Sequence, residues 1–206
     1  MRFISTRGKS GKVSAAEAII KGLADDGGLF VPEYFPKVFQ KLKEKASISY
    51  EELSFEIIKE FFDDIPEEDL KEAIDEAYRG RFEILEKGAF LELYHGPTSA
   101  FKDVALLFLP QIMKKAKKVL AINDEITILT ATSGDTGKAA LEGFHDVEGF
   151  KCVVYYPKNG VSAIQERQMN IQVGNNVKVI AIEGNFDDAQ RGVKNIFADE
   201  ELRDKF

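Results

Sequence analysis

The sequence predicts an α/β fold in which a parallel sheet of βαβ units follows a mainly helical N-terminal region. Three short apolar, β-branched runs recur at a spacing of roughly 25 residues with helical patterns between them, at residues 126–130, 151–156 and 177–182. Strands with so few polar residues are typical of a parallel sheet covered on both faces. The loops 131–137, 157–162 and 183–187 should therefore face one crevice beyond the carboxyl ends of these strands.

The chain begins with a short strand-like segment at residues 2–5, followed by a helix. Ser14 and Glu17 have the spacing of a capping box ahead of apolar residues at helical intervals. The run Asp-Asp-Gly-Gly at residues 25–28 ends this helix. Residues 29–32 then form an apolar loop or a short extended piece, because the residue before a proline avoids the helical region.

Residues 37–80 predict an all-helical insert with three helical patterns. The second opens with a capping box formed by Ser49 and Glu52, and the third follows Pro66. The acidic run at residues 63–69 is interpreted as a solvated loop and helix start, and we assign it no chemistry.

Alternating apolar residues predict two strands, at residues 81–86 and 89–94. A helical pattern covers residues 100–119, and Pro110 should kink it or end its first part. The lysines near its end fit a solvated, dipole-favoured helix terminus better than a binding patch. They are Lys114, Lys115, Lys117 and Lys118.

The last pattern, residues 187–206, predicts a helix that is still running when the sequence stops, since no glycine or proline follows Leu202. Three or four strands also make a small sheet for this class of fold. We therefore expect the N-terminal portion of a longer protein, with an incomplete fold.

Composition excludes several classes of function. The net charge is −7, and no block of lysine and arginine stands apart from acidic residues, so general nucleic-acid binding is not expected. The single cysteine, Cys152, lies in an apolar run, which indicates a core position and a reducing, cytoplasmic location. Neither a signal peptide nor a membrane-spanning segment is predicted.

Lys102 has an unusual setting for a lysine. It follows Ala100 and Phe101 in the stretch His-Gly-Pro-Thr-Ser-Ala-Phe-Lys-Asp at residues 95–103, between a strand and a helical pattern. Apolar surroundings near a helix N-terminus disfavour an ammonium ion, and a neutral amine can attack carbonyls to form Schiff bases. The chemistry that this stretch indicates is therefore an imine.

A second stretch, Ala-Thr-Ser-Gly-Asp-Thr-Gly at residues 131–137, lies between a buried strand and a helix. Free N–H groups and the helix dipole favour an anion there, and Thr132, Ser133 and Thr136 add hydroxyl donors. A carboxylate or a phosphate group would suit it. The alternative is a plain strand-to-helix turn with Asp135 or Thr136 as the N-cap.

The sequence lacks the residue patterns of several other kinds of site. His95 and His145 have no second histidine or cysteine at metal-ligand spacing, so no zinc site is predicted, and His95 fits a packing or loop hydrogen-bond role at least as well as catalysis. The spacing of a nucleotide P-loop and the serine elbow of hydrolases are both absent.

Four stretches together resemble the threonine synthases, pyridoxal-phosphate enzymes of the tryptophan-synthase-β fold type. The first two are the lysine and anion stretches described above. The third is Ser-Thr-Arg-Gly at residues 5–8 with Gly-Leu-Ala-Asp-Asp-Gly-Gly-Leu-Phe-Val-Pro-Glu at 22–33. The fourth is Val-Ser-Ala-Ile-Gln-Glu at 161–166 with Glu-Gly-Asn-Phe-Asp-Asp at 183–188. They span nearly the whole chain in family order.

This resemblance implies a lyase of threonine biosynthesis that converts O-phospho-L-homoserine, a small-molecule substrate, and water into L-threonine and phosphate by γ-elimination and β-addition. Lys102 would hold pyridoxal 5'-phosphate as a Schiff base and then move protons, with Phe101 beside the cofactor. Thr132, Ser133 and Thr136 would bind the α-carboxylate. Asp135 occupies the place where related enzymes put an asparagine near the ring hydroxyl of the cofactor.

The chain departs from the family near the substrate phosphate. Many members carry a lysine or arginine close to Val161, whereas this chain has Gly160 and places its basic residue at Lys158. The resemblance leaves Lys158, Asn159 and Ser162 as phosphate contacts. The expected domain division places an N-terminal region, with the helical insert and two short strands, at residues 1–94. The first part of an α/β cofactor-binding domain follows at residues 95–206.

In this fold type the glycine-rich loop that grips the cofactor phosphate lies beyond residue 206, so the chain alone is expected to bind cofactor poorly and to have little or no activity. Two alternatives stay open: a related pyridoxal-phosphate lyase of amino acids, and a non-catalytic small-anion binding module. The sequence does not indicate the oligomeric state.

Overall fold

The computed structural model describes residues 1–43, 48–172, 174–199 and 201. Contacts among them divide the chain into two compact units. One comprises Met1–Gly80 with Gln111–Asn123, and the other comprises Arg81–Pro110 with Asp124–Phe206. The division at residue 94 that the sequence suggests stays a prediction.

The first unit contains a two-stranded antiparallel sheet and a set of helices. Strands β1 (Phe3–Ser5) and β2 (Phe30–Pro32) pair, so the apolar segment before Pro32 is a short strand. The helices are α1 (Ala15–Lys21), α2 (Val38–Lys43), α3 (Tyr50–Ile58) and α4 (Glu67–Tyr78). Both predicted capping boxes are formed, at the starts of α1 and α3, which confirms these helix starts.

The lysines of helix α6 (Phe108–Val119) pair with the acidic face of α4. Lys118 Nζ lies 2.9 Å from Asp69 Oδ1, and Lys115 Nζ lies 3.9 Å from the same oxygen and contacts Glu72. Only 8% of Lys115 and 7% of Asp69 are exposed. The prediction of a solvated surface is therefore wrong for Lys115 and Asp69, because helical spacing places the two sets of charges on facing surfaces. Lys118 remains exposed, as predicted.

The second unit contains a hairpin and a three-stranded parallel sheet. Strands β3 (Glu83–Lys87) and β4 (Phe90–His95) form the antiparallel hairpin and lead into helix α5 (Asp103–Leu106). Strands β5 (Ile126–Ala131), β6 (Phe150–Pro157) and β7 (Val177–Ile182) pair in parallel with β6 in the centre. The helices between and after them are α7 (Asp135–Phe144), α8 (Ala163–Asn170) and α9 (Phe186–Ala198). The predicted strands and the α/β fold class are confirmed.

The core of this unit lies on the face of the sheet that α7 covers. Phe150, Cys152 and Val154 of β6 are each no more than 1% exposed. Cys152 is thus a core residue, and burial raises the pKa of its thiol to about 12. Helix α9 covers the opposite face, where Ala189 and Ile196 help to line a cavity of about 170 Å³ beside Tyr155.

Two helix boundaries differ from the sequence-based expectation. The single helix predicted over residues 100–119 is two helices interrupted at Leu107, and Pro110 is the third residue of α6. Its missing N–H removes no helical hydrogen bond in that first turn.

The single helix predicted over residues 187–206 is interrupted at residue 199. Helix α9 ends at Ala198, and Asp199 is extended with φ −85° and ψ 110°. Acidic residues at a helix C-terminus oppose the helix dipole, which accounts for the stop at Asp199. Leu202 and the residues after it lie outside the described part of the chain.

Within the residues that the structure describes, no helix combines the length and the apolar character needed to cross a lipid bilayer.

Two helical glycines should respond oppositely to the same substitution. A Cβ at Gly143 in α7 would lie 2.0 Å from the carbonyl oxygen of Leu106, whereas a Cβ at Gly192 in α9 meets no atom within 4 Å. We expect Gly143→Ala to destabilise by about 1–3 kcal/mol through overpacking, and Gly192→Ala to stabilise by about 0.5–1 kcal/mol through a smaller loss of chain entropy. Urea unfolding measures the change in unfolding free energy for each variant. Changes of the same sign would contradict the packing of α7 on α5.

Candidate active site

Three loops of the second unit contain the residues that the sequence singles out. The lysine loop, residues 96–102, follows β4. The anion loop, residues 132–137, follows β5, and the third loop, residues 158–162, follows β6. The last two lie at the same edge of the parallel sheet because they leave the carboxyl ends of neighbouring strands.

Thr132 organises the anion loop from inside. Its side chain is buried, and its Oγ1 accepts hydrogen bonds from the backbone N–H groups of Gly134 and Gly137, each at 2.9 Å. The Thr132 hydroxyl therefore fixes the shape of the loop and does not present itself on the loop surface.

Helix α7 begins with Gly134 as its N-cap, so the alternative that Asp135 or Thr136 caps the helix is wrong. Gly134 has φ 141°, a conformation that residues with a side chain rarely adopt. Among the described residues, no acceptor binds the backbone N–H groups of Ser133, Asp135 and Thr136. Three donors at a helix N-terminus form a suitable cradle for a carboxylate or a phosphate group.

Asp135 accepts two side-chain donors on one oxygen. Gln165 Nε2 lies 2.9 Å and Lys138 Nζ lies 3.2 Å from Asp135 Oδ1. The pKa of the Asp135 carboxyl is held below its usual value, first by the hydrogen bond from Gln165 and then by the hydrogen bond from Lys138. The positive charges of Lys138 and Lys102 act in the same direction. Asp135 is thus held in its ionised form by the side chains that contact it.

The lysine loop is braced by a buried carboxylate. Asp103 is fully buried and accepts hydrogen bonds from the hydroxyl of Thr98 at 2.6 Å and from its N–H at 3.0 Å. The loop also holds Ser99 at φ 55°, and a Cβ at Gly96 would lie 2.4 Å from Asp103 Oδ2. This bracing fixes the backbone that carries Lys102.

The Lys102 side chain is half-buried, and its Nζ lies 4.5 Å from the centre of the Phe101 ring. Within the described ranges it forms no salt bridge or hydrogen bond, unlike Lys115, Lys118 and Lys138. Its amine is therefore available for a bond with a ligand.

The three residues predicted to contact the substrate phosphate have few described links to the anion loop. Lys158 Nζ is paired with Glu183 Oε1 at 2.8 Å, and Asn159 is exposed at φ 61°. Ser162 is the N-cap of α8 and shares its hydroxyl with Gln165 in a capping box. Only Ser162 is joined to the anion loop by a described path of hydrogen bonds, through Gln165 to Asp135.

The sequence-based prediction missed Lys138, Gln165 and Gln168. Lys138 is 7% exposed, and its Nζ also lies 3.1 Å from Gln168 Oε1. The Ser-x-x-Gln spacing of a capping box starting at Ser162 is the local signal that could have indicated Gln165.

His95, at the end of β4, has a hydrogen-bond role. Its Nε2 lies 2.8 Å from Glu92 Oε2, and Lys87 Nζ lies 3.1 Å from the same oxygen. Hydrogen bonds from His95, Tyr94 and Lys87 lower the pKa of Glu92 to about 2. Across the described ranges no cluster of three or more histidines, cysteines or carboxylates could bind a metal ion.

Comparison with known proteins relates nearly all of the chain to one family. A family model described as the threonine synthase N terminus matches residues 2–78. The threonine synthase of Pseudomonas aeruginosa is 40% identical over an alignment of 212 positions, which covers 97% of this chain and 44% of that protein. The threonine synthase of Schizosaccharomyces pombe is 38% identical, covering 98% of this chain and 43% of that protein.

Solved structures give the same relation. A pyridoxal-phosphate-bound threonine synthase from Brucella melitensis superposes with a TM-score of 0.87 at 37% identity, covering 99% of this chain and 46% of that one. Threonine synthase from yeast superposes with a TM-score of 0.84 at 36% identity, covering 98% of this chain and 44% of that one. The chain thus spans less than half the length of the relatives that it matches.

The hydroxyl of Thr132 can be tested by isosteric replacement. Thr132→Val should destabilise the protein by about 1–3 kcal/mol for each of the two N–H groups that lose their acceptor. Thr132→Ser keeps the oxygen and should cost only about 1 kcal/mol for the lost methyl group. Equal losses for the two variants in urea unfolding would contradict the structural role of this oxygen.

The Glu92 carboxylate predicts a pH dependence of stability. Since its folded-state pKa of about 2 is below the ordinary value of 4.5, its contribution is present above pH 4.5 and is lost as the pH falls towards 2. The difference in unfolding free energy between the parent and Glu92→Gln should therefore shrink over that range. Glu86→Gln, at an exposed position of the same hairpin, is the control and should show no such change.

Proposed function

The chain belongs to the threonine synthase family, and from this premise we propose that it supplies the lysine-bearing part of an enzyme that converts O-phospho-L-homoserine and water into L-threonine and phosphate. The proposal includes a small-molecule substrate, a cytoplasmic location and pyridoxal 5'-phosphate as cofactor. It rests on the chemistry of the second unit together with the family relation.

One observation carries the proposal: the half-buried amine of Lys102 has no acidic partner among the described residues. Other lysines of the chain that are at least partly buried do pair with carboxylates, as Lys115 and Lys138 do. An amine that a braced loop holds away from such partners suits covalent attachment to an aldehyde.

The residues around Lys102 fit pyridoxal 5'-phosphate. The amine of Lys102 would hold its aldehyde carbon, the exposed ring of Phe101 offers an apolar surface beside it, and Asp135 offers a charged oxygen. When bound, this cofactor supplies the electron sink that stabilises carbanions at the substrate.

The anion loop would bind the α-carboxylate of the substrate. The N–H groups of Ser133, Asp135 and Thr136 would donate to it, together with the hydroxyls of Ser133 and Thr136. Thr132 would act indirectly, by keeping the loop in the shape that points these donors outwards.

Lys102 would also move protons. Once its amine is not holding the cofactor, it can take a proton from a substrate carbon and return one to a neighbouring carbon, which both the loss of phosphate and the addition of water require. Asp103 and Thr98 would keep its backbone in place during these transfers.

For the substrate phosphate, Lys158, Asn159 and Ser162 remain our proposal. The ion pair between Lys158 and Glu183 is exposed, and exposed pairs contribute about 0–1 kcal/mol, so a phosphate group could replace Glu183 at little cost.

The proposal predicts the behaviour of Lys102→Ala in the intact protein. We expect loss of the visible absorbance of bound cofactor and a fall in threonine formation of at least ~10³-fold, because one group serves both attachment and proton transfer. Lys151→Ala is the matched control, since Lys151 is the second residue of β6, at the opposite end of the strand from the loops, and it should keep both properties.

Borohydride reduction followed by peptide mapping locates the attachment directly. A label on Lys102 is the expected result. A label on another lysine, or unchanged threonine formation by Lys102→Ala, would overturn the proposal and favour a non-catalytic anion-binding module.

A further inference from the structure

Helix α8 presents two glutamines on one face, three residues apart. Gln165 and Gln168 are both partly buried, and each uses its side-chain amide to contact a loop of the candidate site. Residues at this spacing are neighbours on a helix surface, so the two amides form one polar strip.

Gln165 joins the third loop to the anion loop. Its Oε1 accepts hydrogen bonds from Ser162, from the N–H at 3.2 Å and from the hydroxyl at 3.0 Å. Its Nε2 donates to Asp135 Oδ1 at 2.9 Å. Since a carboxylate can only accept, the amide of Gln165 must present its nitrogen to Asp135 and its oxygen to Ser162.

Gln168 continues the same connection towards the lysine loop. Its Oε1 accepts from the buried Lys138 at 3.1 Å, and Lys138 also binds Asp135. Its Nε2 makes a weaker contact, 3.5 Å, with the carbonyl oxygen of Thr98, the residue that braces Asp103.

We propose that Gln165 and Gln168 are positioning residues that set the placement of the anion loop relative to Lys102, acting through Asp135, Lys138 and Thr98. This inference rests on the proposed function for its kinetic consequences, but the coupling of the loops is a property of the protein without cofactor. The two parts can therefore be tested separately.

The isosteric variants of Gln165 give the sharpest test. Gln165→Met keeps the length of the side chain and removes its three side-chain hydrogen bonds, two from Ser162 and one to Asp135, and it should lower kcat/KM in the intact enzyme about tenfold to a hundredfold with folding retained. Gln165→Glu keeps the shape but places a second carboxylate against Asp135. It should lose more activity than Gln165→Met at neutral pH, because the two negative charges repel.

The two variants should also differ in pH dependence. The charged groups that face Asp135 are Lys138 at 3.2 Å and, farther away, Lys102. As the pH falls, the introduced carboxyl in Gln165→Glu takes up a proton and can again donate to Asp135, so its activity relative to the parent should rise. The relative activity of Gln165→Met should stay flat, whereas a purely structural role for Gln165 would give the two variants the same profile.

Amide hydrogen exchange of the cofactor-free protein tests the coupling between the anion loop and the lysine loop without an activity assay. We expect faster exchange across residues 132–137 in Gln165→Met and across residues 96–102 in Gln168→Ala. Arg167→Ala, which removes an exposed side chain from the same helix, should leave both segments unchanged.

Unchanged exchange in both glutamine variants, or an equal pH profile for Gln165→Met and Gln165→Glu, would overturn the positioning role. Altered exchange combined with cofactor retention by Lys102→Ala would instead support the coupling of the loops and contradict the proposed function.

Discussion

The close approach of helix α7 to its neighbours is the constraint on which the candidate site depends. Glycines permit it on two sides: a Cβ at Gly137 would lie 2.5 Å from Thr132 Cγ2, and one at Gly143 would meet the backbone of α5. The first contact seats the start of α7 against the sheet, where Thr132 closes the anion loop. The second holds α7 against the helix that follows Lys102. One helix thus approaches both loops closely because glycine leaves these two points of contact without a side chain.

Periodicity in the sequence was sufficient to predict the elements of this fold. The three parallel strands and the capping boxes at Ser14 and Ser49 depend on local spacing, and the structure forms them. Lys102 was also visible locally, from the apolar residues that precede it. Contacts between residues far apart in the sequence could not be predicted in this way. Gln165 contacts Asp135 across 30 positions, and Lys115 contacts Glu72 across 43. A local pattern cannot show which charge on one helix faces which charge on another.

The helices likewise could be predicted from local patterns, but their boundaries could not. Helix α9 ends at Ala198 although its apolar pattern is strong, because the acidic residues that follow oppose the helix dipole. The interruption at Leu107 was expected from Pro110 but falls three residues earlier, since a proline is compatible with the first turn of a new helix. For the site, the outcome is comparable: the loops were predicted, whereas the hydrogen bonds that connect them were found only in the structure.

Cys152 is the third residue of the central strand β6, which is paired with a strand on each side, and it is shielded from solvent. A thiol reagent reacts with the thiolate, which burial suppresses, so it can reach this sulfur only when the sheet opens. In the residues 1–206 this is the sole thiol. The rate at which this chain is alkylated would consequently report how often the sheet opens.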